Sequence, residues 1–240
     1  MQLLWCDTRA GFDSLAADRL AAVLARKPDA VLALPTGQTP LGLYAAVRLR
    51  AAAGEVSFAA ARVFDLDEYA GLGATHPLSY ASYFRAQLLE AVGAPDCNIR
   101  LLRGDAADLA AECRDYDAAI ARAGGIDLAI LGLGTNGHIA FNEPGADWES
   151  GTHLVQLSPQ TREINARQQG RQTVLPEFGV TMGIATLRQA REIVLLAAGA
   201  AKRAALEALR RGVPDPHWPV TSLIGHPRLT VISEAQLGEP

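Results

Sequence analysis

The sequence predicts an α/β fold, a doubly wound and mainly parallel sheet with helices on both faces, and three observations lead to it. The runs VLAL (31–34), ARVFDL (61–66), IDLAIL (126–131) and EIVLLAA (192–198) are apolar throughout, as strands covered on both faces must be. The segments between them repeat apolar residues at intervals of three and four, which is helical spacing. Strand and helix alternate along the chain, as the crossover connections of a parallel sheet require.

In chain order, MQLLW can supply an edge strand, and 13–26 reads as a helix leading into VLAL. Next comes PTGQTPLG, where Gly37 allows a tight turn, Thr39 suits the N-cap and Pro40 the first turn of a helix over 40–52. ARVFDL leads into DLDEYAGL, and 77–92 and 106–123 read as helices on either side of NIRLL. IDLAIL runs into GLGTNGHIAFNEPG, after which HLVQL, GVTMGI and LTVIS can supply further or edge strands. The polar stretch 162–172 is the one plausible mobile insert, part of a lid expected over 158–177. With 240 residues, 49% of them hydrophobic, and no internal repeat, a single domain over 1–240 is expected.

Charge and cysteine content narrow the partners. The net charge is -4 and the basic residues form no stripe, which argues against nucleic acid and against an anionic membrane and favours a small soluble partner. Cys6, Cys97 and Cys113 are odd in number and lack CxxC spacing, so neither a disulfide framework nor a zinc site is expected. The opening MQLLWCDTRAGF lacks the basic region of a signal peptide, and no segment approaches a membrane span in length. A cytoplasmic protein is the expectation.

Ligands of such a sheet gather at the carboxyl ends of its strands, and in this chain each apolar run ends in polar residues. Backbone N–H groups after VLAL can face an anion, although an ordinary capped helix start looks the same. Lys202 lies in the first turn of the helix after EIVLLAAG, where a cation opposes the helix dipole and a bound phosphate would remove the conflict. Asp65, Asp67 and Glu68 crowd one strand end, so at least one carboxyl can have the raised pKa of a base working near neutrality; a solvated acidic turn is the plainer reading. No DxDxDG pattern or second acidic cluster points to magnesium or calcium.

Gly132, Gly134 and Gly137 satisfy GxGxxG after a strand, yet the next residues are HIAFNEPGAD, broken by Pro144 and Gly145, where a dinucleotide site needs a helix. These glycines are expected to let a sugar approach the backbone, and no cofactor is expected. His138 remains as a candidate acid–base group, with Asn136 and Glu143 as orienting partners that would fix its tautomer.

LPTGQTPLGLY, DLDEYAGL followed by HPLSY, and GLGTNGHIAFNEPG together resemble the glucosamine-6-phosphate deaminase (isomerizing) family, in its order and at its spacing. The resemblance continues through TREINAR, VTMGIATL, the Lys202 turn and VTSLIGHP. It implies a Rossmann-like sheet and conversion of glucosamine 6-phosphate and water to fructose 6-phosphate and ammonia, without metal or cofactor. By the same resemblance His138 opens the sugar ring, Asp67 moves the C2 proton to C1, and Glu143 pairs with His138. Gly37, Gln38, Thr39, Gly132, Arg167 and Lys202 are implied substrate and phosphate contacts, with Arg167 on the expected lid.

The chain departs from the family in two places. Asn136 stands where several members have an acidic residue, so more of the orienting task falls to Glu143. His153 and Val155 replace basic residues that hexameric members use for N-acetylglucosamine 6-phosphate, so no such activation and a monomer or small oligomer are expected. A 6-phosphogluconolactonase-like hydrolase, a galactosamine-6-phosphate deaminase and a non-catalytic sugar-phosphate sensor remain alternatives. AFNEP departs from the SLFP-like sequence of the lactonase branch.

Overall fold

The computed structural model describes residues 1–169 and 174–237. Its main sheet is built from β1 (Gln2–Cys6), β2 (Val31–Leu34), β3 (Arg62–Asp65), β5 (Ile99–Arg100), β6 (Leu128–Gly132), β9 (Glu192–Ala197) and β10 (Leu229–Glu234). These seven strands lie in the order β1-β10-β9-β6-β2-β3-β5, every pair parallel. The helices are α1 (Arg9–Arg26), α2 (Leu41–Ala52), α3 (Tyr80–Phe84), α4 (Glu90–Val92), α5 (Leu109–Arg122), α6 (Pro159–Gln169), α7 (Ile184–Arg188) and α8 (Arg203–Arg210).

Two apolar layers sandwich the sheet, and the alternation of side chains along each strand divides the residues between them. On β2, Val31 and Ala33 face the layer that holds Tyr116 of α5 and Leu206 of α8, whereas Leu32 and Leu34 face the layer of Phe12 of α1 and Tyr44 of α2. All four β2 side chains are buried, which is why VLAL carries no polar face. Thr8 and Asp108 cap α1 and α5 through their side chains, accepting from the N–H groups of Gly11 and Ala111.

Three expectations need correction. Thr39 is not the cap of α2: Pro40 occupies that position, where its ring fixes a helical φ and, having no polar side-chain atom, makes no capping bond. The helix expected over 77–92 is interrupted by a π-helical turn at Arg85–Leu89, between α3 and α4. DEY is not a solvated acidic turn but a strand, β4 (Asp67–Tyr69), buried along its length. With β7 (His153–Gln156) and β8 (Phe178–Thr181) it forms a separate antiparallel sheet, β4-β8-β7, so HLVQL and GVTMGI do not extend the main sheet. α6 lies between β7 and β8, and residues 170–173 of the expected lid lie outside the described residues.

The chain runs from β2 outward to β3 and β5 and then returns to β6 on the other side of β2. That reversal opens a crevice above the carboxyl ends of β2 and β6. Among the described residues, no helix is long and apolar enough to cross a membrane.

Candidate active site

The crevice is lined by Gly37, Gln38 and Thr39 after β2, Asp67 of β4, Gly132 and His138 from the end of β6 and the loop after it, and Lys202. Residues far apart in the chain therefore meet where the strand order reverses. Lys202 is the N-cap residue of α8 and is partly buried, and that burial lowers its pKa. A cation at this end of a helix gains nothing from the dipole, but beside the 36–39 loop it completes an anion-seeking corner.

Asp67 is 6% exposed, and its buried Oδ1 has no hydrogen-bond partner among the described residues. Burial, reinforced by the neighbouring Glu68 carboxylate, pushes its carboxyl up to about 8, against a weaker opposing bond from the Thr36 hydroxyl. Glu68 has the opposite surroundings. It accepts from the Ser79 hydroxyl at 2.6 Å and from the N–H groups of Tyr69, Tyr80 and Ala81 at 2.7, 3.1 and 3.1 Å, so it anchors the start of α3. Asp65, wholly buried, accepts from Tyr116 at 2.7 Å and from the Leu102 N–H at 3.0 Å and ties β3 to its neighbours. Of the three acidic residues, only Asp67 combines a place on the crevice wall with an uncommitted oxygen.

The raised Asp67 pKa has a consequence for stability. Between about pH 4 and 8 the unfolded chain releases this proton and the folded chain keeps it, so the contribution of Asp67 to stability falls as pH rises through that window. Asp67→Asn is expected to gain a few kcal/mol over wild type between pH 5 and pH 9, since each pKa unit is worth about 1.4 kcal/mol. Urea unfolding of both proteins at the two pH values measures this; parallel curves would mean that Asp67 ionises as freely as in water.

His138 is held by a chain of directed bonds. Asn136 Nδ2 donates to Glu143 Oε2 at 2.7 Å. An ionised Glu143 can only accept, which fixes the orientation of the amide and turns Asn136 Oδ1 toward His138 Nδ1 at 2.8 Å. The same oxygen accepts from the His138 backbone N–H at 3.2 Å. Nδ1 therefore carries the proton, leaving Nε2 with a free lone pair. The expected direct pair of Glu143 with His138 is corrected here: Asn136 stands between them, because its short side chain lies two residues before the ring. Burial pushes the imidazole down to about 4, with Glu143 opposing and Lys202 adding to the shift.

The loop around His138 has its own supports. A Cβ on Gly134 would lie 2.4 Å from His138 Cγ and Nδ1, so only glycine leaves room for the ring. Gly137 has φ +82°, and a Cβ there would meet the Trp218 ring at 2.8 Å. Asn142, fully buried, donates to the carbonyls of Ile139 and Met182, both at 2.9 Å, and pins the loop to the small sheet. Ala140, also on the wall, takes a left-handed φ of 50° that costs a non-glycine residue about 1–2 kcal/mol.

Arg167 is not brought into the crevice. Its side chain is 71% exposed and pairs with Glu163 one turn earlier on α6. Residues that the sequence does not single out do line the crevice: Thr36, Tyr80, Phe141 and Asn165. Asn165 donates to the Tyr69 hydroxyl at 3.0 Å, linking α6 to β4. Neutral groups of this kind carry no charge or spacing signal; they lie within LPTGQTPLGLY, HPLSY, GLGTNGHIAFNEPG and TREINAR, where residue type alone does not mark them. Among the described residues, no three His, Cys, Asp or Glu side chains are grouped so as to hold a metal ion.

A family model described as glucosamine-6-phosphate isomerases/6-phosphogluconolactonase matches residues 9–231. A glucosamine-6-phosphate deaminase of Lysinibacillus sphaericus is 40% identical over 232 residues, covering 97% of this chain and 98% of its own. One of Mycolicibacterium smegmatis is 44% identical over 220 residues, covering 91% and 84%. Among solved structures, a monomeric glucosamine-6-phosphate deaminase superposes with a TM-score of 0.95 at 36% identity, covering 99% of this chain and 98% of that one. A 6-phosphogluconolactonase from Leishmania guyanensis reaches 0.79 at 22% identity over 99% and 97%, a likeness of fold alone.

Proposed function

The chain belongs to the glucosamine-6-phosphate isomerase/6-phosphogluconolactonase family, and from that membership and its crevice we infer that it is a glucosamine-6-phosphate deaminase. The observation that carries the reading is a buried carboxylate with a free oxygen, Asp67, sharing one wall with a neutral, tautomer-fixed imidazole, His138. A lactonase needs a group to activate water, but it has no use for a base over a sugar carbon.

In the proposed sequence His138 Nε2 takes the proton of the C1 hydroxyl and returns it to the ring oxygen, which opens the pyranose to an aldehyde. Asp67, ionised, removes the C2 proton to give an enolate and delivers it to C1; the iminium nitrogen at C2 then gives a proton to the C1 oxygen, leaving a C1 hydroxyl and an imine at C2. Water adds to that imine, and ammonia departs as the ketone of fructose 6-phosphate forms. The proton lost from C2 is the one gained at C1, so one carboxylate suffices. Gly37, Gln38 and Thr39, Gly132 and Lys202 are proposed to hold the 6-phosphate and the sugar. Because ionised Asp67 is the base, activity is expected to rise with pH toward about 8 in the free enzyme.

Arg167 is proposed to join the phosphate by closure of the 158–177 segment. Its exposed pair with Glu163 is worth no more than about 1 kcal/mol, so a phosphate dianion can displace it. Arg167→Ala is therefore expected to raise KM about tenfold with a smaller change in kcat, a charged hydrogen bond being worth about 1.5–3 kcal/mol. An unchanged KM would leave Arg167 as a surface residue.

We further propose one domain over 1–240, a cytoplasmic location, and a monomer or small oligomer without activation by N-acetylglucosamine 6-phosphate. Sigmoidal kinetics relieved by that compound would refute the last point. The deciding assay measures ammonia and fructose 6-phosphate released from glucosamine 6-phosphate and galactosamine 6-phosphate, with 6-phosphogluconolactone as control. Release from the glucosamine epimer is expected; hydrolysis of the lactone alone would overturn the reading.

A further inference from the structure

The loop between β2 and α2 is tethered at alternate carbonyls. Tyr44 of α2 donates its hydroxyl to the Pro35 carbonyl at 2.5 Å, Tyr83 of α3 donates to the Gly37 carbonyl at 2.6 Å, and Arg9 of α1 donates to the Thr39 carbonyl at 2.5 Å. A trans peptide directs the C=O of one residue and the N–H of the next to opposite sides. Each tether that draws a carbonyl back therefore turns the following N–H the other way. The Tyr44 tether sets Thr36 N–H and the Tyr83 tether sets Gln38 N–H, whereas Pro40 has no N–H to direct.

The peptide between Gly37 and Gln38 is the vulnerable one. Gly37 has φ +94°, and a glycine reaches either side of φ at little cost, so its own backbone does not select one sense of this peptide. Reversed, the peptide would present a carbonyl oxygen where an anion is to bind. We propose that Tyr83 is a positioning residue for the phosphate: its hydroxyl holds the Gly37 carbonyl away from the crevice and keeps the Gln38 N–H aimed at the anion. The proposal rests on the deaminase reading for the identity of the anion, but its geometry does not depend on the chemistry at C1 and C2. Tyr83 is also suited to a clean test. Its ring packs edge-on against Phe84 and Tyr44, with centroids 6.0 and 6.5 Å away, and phenylalanine keeps those contacts. Tyr44 is fully buried, so removing its hydroxyl would strand the Pro35 carbonyl and confuse binding with folding.

Tyr83→Phe is to be compared with wild type in deaminase kinetics, in inorganic phosphate binding followed by 31P NMR or calorimetry, and in thermal unfolding. The expected result is a rise of about fivefold in both the phosphate Kd and the KM for glucosamine 6-phosphate, the loss of about one neutral hydrogen bond, with kcat within about twofold and an unchanged melting temperature. Unchanged phosphate affinity, or a fall in kcat with phosphate affinity intact, overturns the proposal, as does a wild-type protein that binds no phosphate. Should wild type bind phosphate more tightly than Tyr83→Phe yet release no ammonia, the positioning role stands and the deaminase reading falls.

Discussion

Asp67→Asn is expected to lower kcat for glucosamine 6-phosphate by about 10³-fold or more while leaving phosphate affinity near wild type. The amide matches the carboxylate in shape and cannot accept the C2 proton. Its neighbours are little disturbed: Glu68 keeps its four donors at the start of α3, the Thr36 hydroxyl can bond the amide oxygen as it bonds the carboxylate, and Tyr44 and Tyr83 still hold the Pro35 and Gly37 carbonyls. Ammonia release under saturating substrate, with phosphate inhibition measured on the same preparation, gives both numbers. Activity within tenfold of wild type would mean that another group moves the proton, and the lactonase alternative would regain force.

Gly134→Ala is expected to cost about 10²-fold in kcat/KM without touching any group that reacts. The added methyl would stand 2.4–2.5 Å from three atoms of the His138 ring, closer than any relaxed carbon contact. The loop has little room to yield, since the Gly134 N–H donates to the His138 carbonyl at 2.8 Å and the Gly134 carbonyl accepts from Gly137 at 3.1 Å. The imidazole must tilt, which breaks its alignment with Asn136. Ring resonances of His138 in NMR spectra should shift together with the loss of rate. A fully active variant with unshifted resonances would show that the ring tolerates displacement.

The main sheet was legible because its evidence is local. VLAL, IDLAIL and EIVLLAA declare burial on both faces within a few residues, and the helices between them show their period without reference to anything distant. The small sheet was not legible in the same way. β4 is only Asp67–Tyr69, two of its three residues are acidic, and it becomes a strand by pairing with Phe178–Thr181, more than a hundred residues later. Its buried charge is tolerated because Ser79, Tyr80 and Ala81 bring donors to Glu68, and nothing in DLDEYAGL announces them. At the crevice, the titratable residues stood out by type: Asp67, His138 and Lys202. Their neutral companions did not, since a threonine, tyrosine or asparagine reads alike on a surface and on a crevice wall until coordinates distinguish them. Asn136 was visible as a departure from an acidic residue, but its place between His138 and Glu143 was not.

That amide has one further effect. A carboxylic acid can relay hydrogen ions, whereas a carboxamide under ordinary conditions neither gives one up nor takes one on, so the line from ring to glutamate is closed to traffic at its second member. Whatever His138 picks up at Nε2 has no rear exit and must leave by the door through which it came. The hydrogen lifted from one sugar oxygen is then available for the other, and the imidazole returns to its starting form with no outside donor.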